Sequence, residues 1–115
     1  ARLSGLVNLR ELNLNHWTAL SPACLGYLAN MKKLETLRVV GVNLSDASLR
    51  QLENLSMLNF FNATRANGLT DQAADVLLSI LPRMPNLKRI NLQFTGVGDA
   101  AKQRIRDAYP TVSVW

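Results

Sequence analysis

Cys24 and His16 are the residues of this sequence best suited to nucleophilic chemistry, as a thiol and its base. Cys24 aligns with Ser48 on the first turn of an expected helix, whereas His16 lies at the end of an expected strand. No third residue is placed to orient the imidazole, and the acidic residues occur singly rather than as an acid–base pair. One Cys and one His also exclude the common zinc sites. We therefore expect no enzyme activity, no metal and no cofactor.

A glycine motif is the second candidate for chemistry. Residues 96–101 read Gly-Val-Gly-Asp-Ala-Ala, which matches the dinucleotide fingerprint G-x-G-x-x-A. The same position reads Val-Asn-Leu-Ser-Asp-Ala at 42–47 and Ala-Asn-Gly-Leu-Thr-Asp at 66–71. Because the segment recurs without this glycine pattern, we interpret it as a turn of a repeat and expect no small-molecule substrate.

A sequence repeat extends over essentially the whole chain. Runs of the form L-x-x-L-x-L occupy residues 9–14, 34–39, 58–63 and 87–92, and a fifth begins at Val112 and reaches Trp115. Each run alternates with period two, as a strand with one buried face does, and then gives way to leucines at helical spacing. Ser45 and Thr70 are expected helix N-caps, each followed by an Asp near the positive helix end. Each unit is therefore strand, turn, helix and return, and neighbouring units must stack to bury their leucines.

This pattern resembles the leucine-rich repeat family, whose unit is L-x-x-L-x-L-x-x-N/C-x-L. The turns Ser45-Asp46, Thr70-Asp71 and Gly98-Asp99 are similar to the L-T-D-x-x-L form of intracellular arrays, such as F-box substrate receptors and bacterial repeat proteins. The resemblance departs at the Asn or Cys position, which holds Trp17, Val42, Ala66 and Thr95. It implies an α/β solenoid with parallel strands on the concave face and helices on the convex face. Residues 1–115 are then one domain of about four repeats and a truncated fifth, within a longer array.

The strand residues between the buried leucines are expected to face a protein partner, because this surface combines amides, arginines and aromatic side chains. The expected partner-binding residues are Asn13, Asn15, Thr36, Arg38, Val40, Phe60, Asn62, Arg65, Arg89, Asn91, Gln93 and Phe94. We expect the surface to be centred near Phe60, Arg38 and Phe94, with the two phenylalanines facing solvent. The alternative is an ordinary solvated sheet face whose phenylalanines are covered by neighbouring side chains.

The expected function is a non-catalytic protein–protein interaction module in the cytosol or an organelle. A structural subunit of a large assembly and a substrate receptor for ubiquitin transfer are the alternatives. The longest apolar run, residues 76–81, is too short to cross a membrane, and charges at Arg2, Arg10 and Glu11 interrupt any signal peptide. The net charge is +5, and basic residues in the last third leave nucleic acid as a less favoured partner: Arg83, Lys88, Arg89, Lys102, Arg104 and Arg106.

Overall fold

The chain forms a parallel sheet with helical segments packed on one side. The computed structural model describes residues 8–15, 28 and 30–115. Within these residues five strands pair in chain order, and every pairing is parallel. The strands are β1 (Glu11–Asn13), β2 (Thr36–Arg38), β3 (Phe60–Asn62), β4 (Arg89–Asn91) and β5 (Ser113–Val114).

Helical segments return the chain from one strand to the next. A 3₁₀ helix (Asp46–Asn54) follows β2, and α1 (Gln72–Ile80) with a short 3₁₀ turn (Leu81–Arg83) follows β3. The helix α2 (Asp99–Ala108) lies between β4 and β5. The segment after β2 differs from the expected α-helix. A 3₁₀ helix rises about 2.0 Å per residue against about 1.5 Å for an α-helix, so its nine residues span a greater length than nine residues of α-helix.

The structure confirms Ser45 as an N-cap, whereas the N-cap of α1 is Asp71 and the predicted Thr70 lies one residue before it. The Ser48 backbone N–H donates to Ser45 Oγ at 3.3 Å, and the Gln72 N–H donates to Thr70 Oγ1 at 3.2 Å. The acidic residue that follows Ser45 or Thr70 reaches across to the next repeat. Asp46 Oδ1 accepts from the Thr70 N–H at 2.8 Å, and Asp71 Oδ1 accepts from the Gly98 N–H at 2.7 Å. These carboxylates therefore join successive turns.

The core lies between the sheet and the helices. Leu37, Phe61 and Ile90 occupy the same position in adjacent strands and are buried. Leu77 and Ile105 meet them from the helical side and are fully buried. Because each repeat shares its inner face with its neighbours, one hydrophobic cluster runs through the described residues.

The turns close without the family's Asn or Cys. Val42 and Ala66 are buried, and their backbone N–H groups donate to the carbonyls of Val39 and Ala63. Thr95 uses its hydroxyl instead, which donates to the Leu92 carbonyl at 2.7 Å and accepts from the Val97 N–H at 3.2 Å.

Several sequence-based expectations fall on residues outside the described ranges. His16, Trp17 and Cys24 are among them, as is most of the first expected helix. Over the ranges that the structure does describe, no helix is long and apolar enough to cross a membrane.

Candidate protein-interaction surface

The candidate surface is the side of the sheet that faces away from the helices, which we call the sheet face. The first row of side chains across it contains Thr36, Phe60 and Arg89, which pair directly on β2, β3 and β4. A second row lies two residues further along the strands: Asn13, Arg38, Asn62 and Asn91. Both rows follow the register predicted from the repeat, so that prediction is confirmed.

A third row follows the strand ends. Asn15 and Val40 are half-buried, and the Val40 N–H donates to Asn15 Oδ1 at 2.9 Å. Gln93 is exposed, and its Oε1 accepts from Asn91 Nδ2 at 3.4 Å. The structure thus brings ten of the twelve predicted residues into three adjacent rows, and the other two, Arg65 and Phe94, lie at the corner beyond them.

The amides of the second row are partly used within the protein. Asn13 Oδ1 accepts from the Asn15 N–H at 2.9 Å, and Asn91 Oδ1 accepts from the Gln93 N–H at 2.9 Å. Asn62 makes the same contact to the Thr64 N–H at 3.1 Å and also accepts from its hydroxyl. These oxygens cap the strand ends, as Asx turns do. Because Asn91 Nδ2 already donates to Gln93 Oε1, the Nδ2 groups of Asn13 and Asn62 are the donors that these amides offer a partner.

Phe60 corrects one expectation. It was expected to face solvent at the centre of the surface, but it is only 9% exposed. The guanidinium carbon of Arg89 lies 4.3 Å from its ring centroid and that of Arg38 lies 5.1 Å away. Such cation–π contacts are worth about 0.5–1 kcal/mol each at exposed sites. Phe60 therefore supports two arginines and offers little of its ring to a partner.

Phe94 is the most exposed aromatic side chain among the described residues, at 73%. Its backbone φ is +59°, and Arg65, whose guanidinium carbon lies 5.1 Å from its ring centroid, has φ +60°. Gly41 occupies the same position after β2 with φ +74°. The left-handed conformation costs a residue with a side chain about 1–2 kcal/mol. In the sequence, Gly41 at this repeat position was the signal that could have indicated a left-handed backbone conformation at Arg65 and Phe94.

Trp115 is a surface residue that the sequence analysis missed. The run starting at Val112 places Trp115 at an inward position, yet the ladder sets Val114 opposite Ile90. The Trp115 N–H donates to the Ile90 carbonyl and its carbonyl accepts from the Leu92 N–H, so it lies across from Asn91 in the second row. A shift of one residue moves a strand side chain to the other face. Trp115 is 42% exposed there.

The basic residues of the last third are mostly engaged within the protein. Arg83 pairs with Glu53 at 3.1 Å and Arg104 with Asp75 at 2.6 Å. Arg106 donates to the Val114 carbonyl from Nε at 3.0 Å and from Nη2 at 2.7 Å. Lys102 is only 9% exposed. A carboxylate therefore offsets the charge of Arg83 and of Arg104, whereas Lys88 and Arg89 stay exposed with no salt bridge in the described part of the chain.

The glycine motif has a packing role. A Cβ on Gly96 would lie 2.2 Å from the Leu69 carbonyl oxygen of the preceding repeat, which leaves no room for a side chain. The Gly98 N–H is the donor to Asp71 described above. Both glycines therefore belong to the contact between successive turns, as the repeat interpretation predicts.

Two cavities lie near the sheet. One of about 10 Å³ is enclosed by core residues, including Leu37 and Phe61, and is no larger than a water molecule needs. The other is an open depression of about 350 Å³ at the start of the strands, lined by Glu35, Thr36, Met57, Asn59 and Asn86. The residues covered by the structure contain no group of three or more His, Cys, Asp or Glu that could hold a metal ion.

The fold is that of leucine-rich repeat proteins. A leucine-rich repeat protein of Leptospira interrogans matches with a TM-score of 0.63 and 20% sequence identity over 93% of this chain. The tropomodulin C-terminal domain of Caenorhabditis elegans, also of this fold type, matches with a TM-score of 0.74 and 20% identity over 98% of this chain and 77% of its own. This chain spans 25% of the Leptospira protein. No protein-family model and no curated protein matches the sequence.

Proposed function

We propose that this protein is a non-catalytic protein–protein interaction module that binds a partner protein through its sheet face. The observation that carries the proposal is Phe94, a large aromatic side chain that is 73% exposed on backbone better suited to glycine. Backbone strain of this kind is kept where function requires it. Here it occurs at an aromatic residue whose side chain is exposed to solvent.

The surroundings of Phe94 support a protein partner. Arg65 stacks on its ring, and Trp115 lies partly exposed in the second row next to Asn91. Aromatic and Arg side chains supply most of the binding energy at protein interfaces, while the residues around them exclude water. Amide groups of the second row can add hydrogen bonds at the rim.

The proposal includes the architecture around this surface. We infer that residues 1–115 are one domain of stacked repeats in a longer solenoid, and that the sheet face lines its concave side. The resemblance of the turns at Ser45-Asp46 and Thr70-Asp71 to intracellular arrays supports a cytosolic or organellar setting.

Affinity capture with paired variants tests the function. Phe94→Ala removes the exposed ring, whereas Arg104→Ala removes an exposed side chain from α2 on the helical side. We expect the first variant to retain less than about a tenth of the captured partner, since a central aromatic anchor contributes ~2 kcal/mol or more. The second variant should capture the partner as the unchanged protein does. Equal capture by both folded variants would show that the sheet face is not the binding surface.

A further inference from the structure

We propose that the partner of the sheet face presents an acidic segment, whose carboxylates are bound by Arg38, Arg65 and Arg89. This inference rests on the proposed function and adds the chemical class of the partner. It rests on the aromatic contacts of these three guanidinium groups and on the absence of a carboxylate partner for them in the described part of the chain.

The three arginines carry charge that the described part of the chain does not neutralise. Arg10, Arg83 and Arg104 each have a carboxylate within 4 Å, whereas Arg38, Arg65 and Arg89 form no salt bridge within that part of the chain. The rows of the sheet face contain one acidic side chain, Glu11 on β1. The sheet face is therefore positive, and its charge is available to an incoming partner.

Two of these charges lie close together because both arginines contact the ring of Phe60. Arg38 reaches its ring from β2 and Arg89 reaches it from β4, so two like charges lie within 5.1 Å of one ring centroid. Their mutual repulsion is relieved when a carboxylate binds between or beside them. Both groups are close enough for neighbouring acidic residues of one segment to engage them together.

The aromatic contacts also prepare the guanidinium groups for carboxylates. A guanidinium that stacks on a ring keeps the N–H groups at its edge, where they match the two oxygens of a carboxylate. Because Phe60 and Phe94 already hold these side chains in place, less conformational entropy is lost on binding. The same arrangement would not form with lysine, which binds as a point charge.

Carboxylates fit this surface better than a nucleic-acid backbone. A nucleic-acid interface commonly uses six or more phosphate contacts along a basic path. In the last third of the chain, Arg83 and Arg104 are paired and Arg106 binds the Val114 carbonyl, which leaves Lys88 as the exposed cation beside Arg89 that could extend such a path. Three oriented guanidinium groups suit a short acidic segment.

Fluorescence anisotropy with three labelled probes tests the inference on the unchanged chain. The probes are a short peptide of alternating Glu and Ser, the same peptide with Gln in place of Glu, and an oligouridine of equal length. We expect the Glu peptide to bind at least about tenfold more tightly than the Gln peptide, a ratio that corresponds to ~1.4 kcal/mol. The oligouridine should bind more weakly than the Glu peptide at the same salt concentration.

Charge-removing variants locate the binding site. Arg89→Gln and Arg65→Gln should each weaken binding of the Glu peptide by about tenfold or more, because hydrogen bonds to charged groups contribute more than neutral ones. Arg89→Lys should recover only part of the loss, because it restores the charge and not the planar group. Arg104→Gln removes the same charge from the helical side and should leave binding unchanged. Urea unfolding of each variant confirms that it is folded.

Three results would overturn the inference. The first is equal binding of the Glu and Gln peptides, and the second is an equal loss in Arg104→Gln and Arg89→Gln, which would indicate diffuse attraction. The third is tighter binding of oligouridine, lost in Arg89→Gln, which would make the partner a nucleic acid. If the partner captured through Phe94 has no acidic segment, this inference fails and the proposed function stands. If Phe94→Ala leaves capture unchanged, the proposed function fails.

Discussion

Phe94 and Arg65 lie at the backbone position that Gly41 occupies after β2, where glycine adopts the left-handed conformation without strain. All three have positive φ values, between +59° and +74°, directly after consecutive strands. Phe94 is mostly exposed, so burial of its ring offsets little of the free-energy cost of the left-handed backbone conformation. Phe94 therefore lowers the free energy of unfolding, and its role in binding explains why it is kept. Substitutions at position 94 measure this effect.

We expect Phe94→Gly to be more stable than Phe94→Ala by about 1 kcal/mol, because glycine adopts the left-handed conformation without a Cβ clash. Both variants lose the aromatic ring and the Arg65 contact, so their difference isolates the backbone. Urea unfolding measures it. Both should lose partner capture to the same extent.

Gly41→Ala provides the matched control with the opposite sign. It should lower the free energy of unfolding by about 1 kcal/mol, since alanine must adopt φ +74° there. If Phe94→Ala is as stable as Phe94→Gly, the corner is not strained and the argument from strain to binding fails.

Phe60 and Trp115 show what the sequence leaves open at the scale of single residues. The repeat placed Phe60 on the sheet face, but its cover depends on Arg38 and Arg89 from two other strands. Such contacts follow from side-chain packing across the sheet, which a spacing pattern does not encode. Trp115 was missed for a different reason, because the last repeat slips by one residue against the leucine frame.

The turns between strands and helices are the elements that fix the spacing of the repeats. Asp46 and Asp71 each bind the backbone of the following turn, at Thr70 and Gly98. Gly96 packs against the Leu69 carbonyl at the same joint. A side chain added there must push neighbouring repeats apart.

We predict that Gly96→Ala lowers the free energy of unfolding by about 2 kcal/mol, in the range of overpacking at a tight contact. The added Cβ would lie 2.2 Å from a backbone oxygen, which cannot move as a side chain can. Gly98→Ala is the control. Its nearest neighbour is the end of the Asp71 side chain at 3.2 Å, so it should cost less than about 1 kcal/mol.

Urea unfolding of the two alanine variants decides whether the glycines are packing residues. Equal stability of Gly96→Ala and the unchanged protein would contradict the close approach of the turns. It would also reopen the phosphate-loop interpretation of residues 96–101.

Elements and register were the most predictable part of this chain. Period-two leucines fix which face of a strand is buried, and the recurrence of the runs every 24 to 29 residues indicates which strands are neighbours. The type of helix was less predictable, since the 3₁₀ segment at Asp46–Asn54 carries leucines at the same spacing as an α-helix. The second and fourth repeats each advance 24 residues from strand to strand, yet one contains this 3₁₀ segment and the other the α-helix α2, so neither repeat length nor leucine spacing reports the helix type.

At the scale of the whole molecule, Arg106 binds the backbone of β5 on the side that faces away from β4. Val114 pairs with Ile90 through its neighbours, so its own carbonyl points away from β4. Arg106 donates two hydrogen bonds to that carbonyl from α2. An unprotected strand edge is a template for pairing with another chain, and Arg106 occupies the acceptor.

Arg106→Ala should therefore expose the β5 edge. We expect the free energy of unfolding to fall by about 1–2 kcal/mol, from the loss of charge-assisted hydrogen bonds. We also expect a concentration-dependent shift to larger species in sedimentation velocity. Arg104→Ala, which breaks an exposed ion pair, should change stability by less than about 1 kcal/mol and leave the sedimentation profile unaltered. Identical profiles for the two variants would rule out an edge role for Arg106.

Site-specific photo-crosslinking tests the central claim, that the sheet face is where a protein partner binds. A photoreactive phenylalanine analogue at position 94 replaces the exposed ring with one of similar shape, and the same analogue at Gln103 probes α2 on the helical side. We predict that irradiation joins the partner to position 94 and leaves position 103 without a crosslink. A crosslink to the partner from position 103 alone would contradict the account.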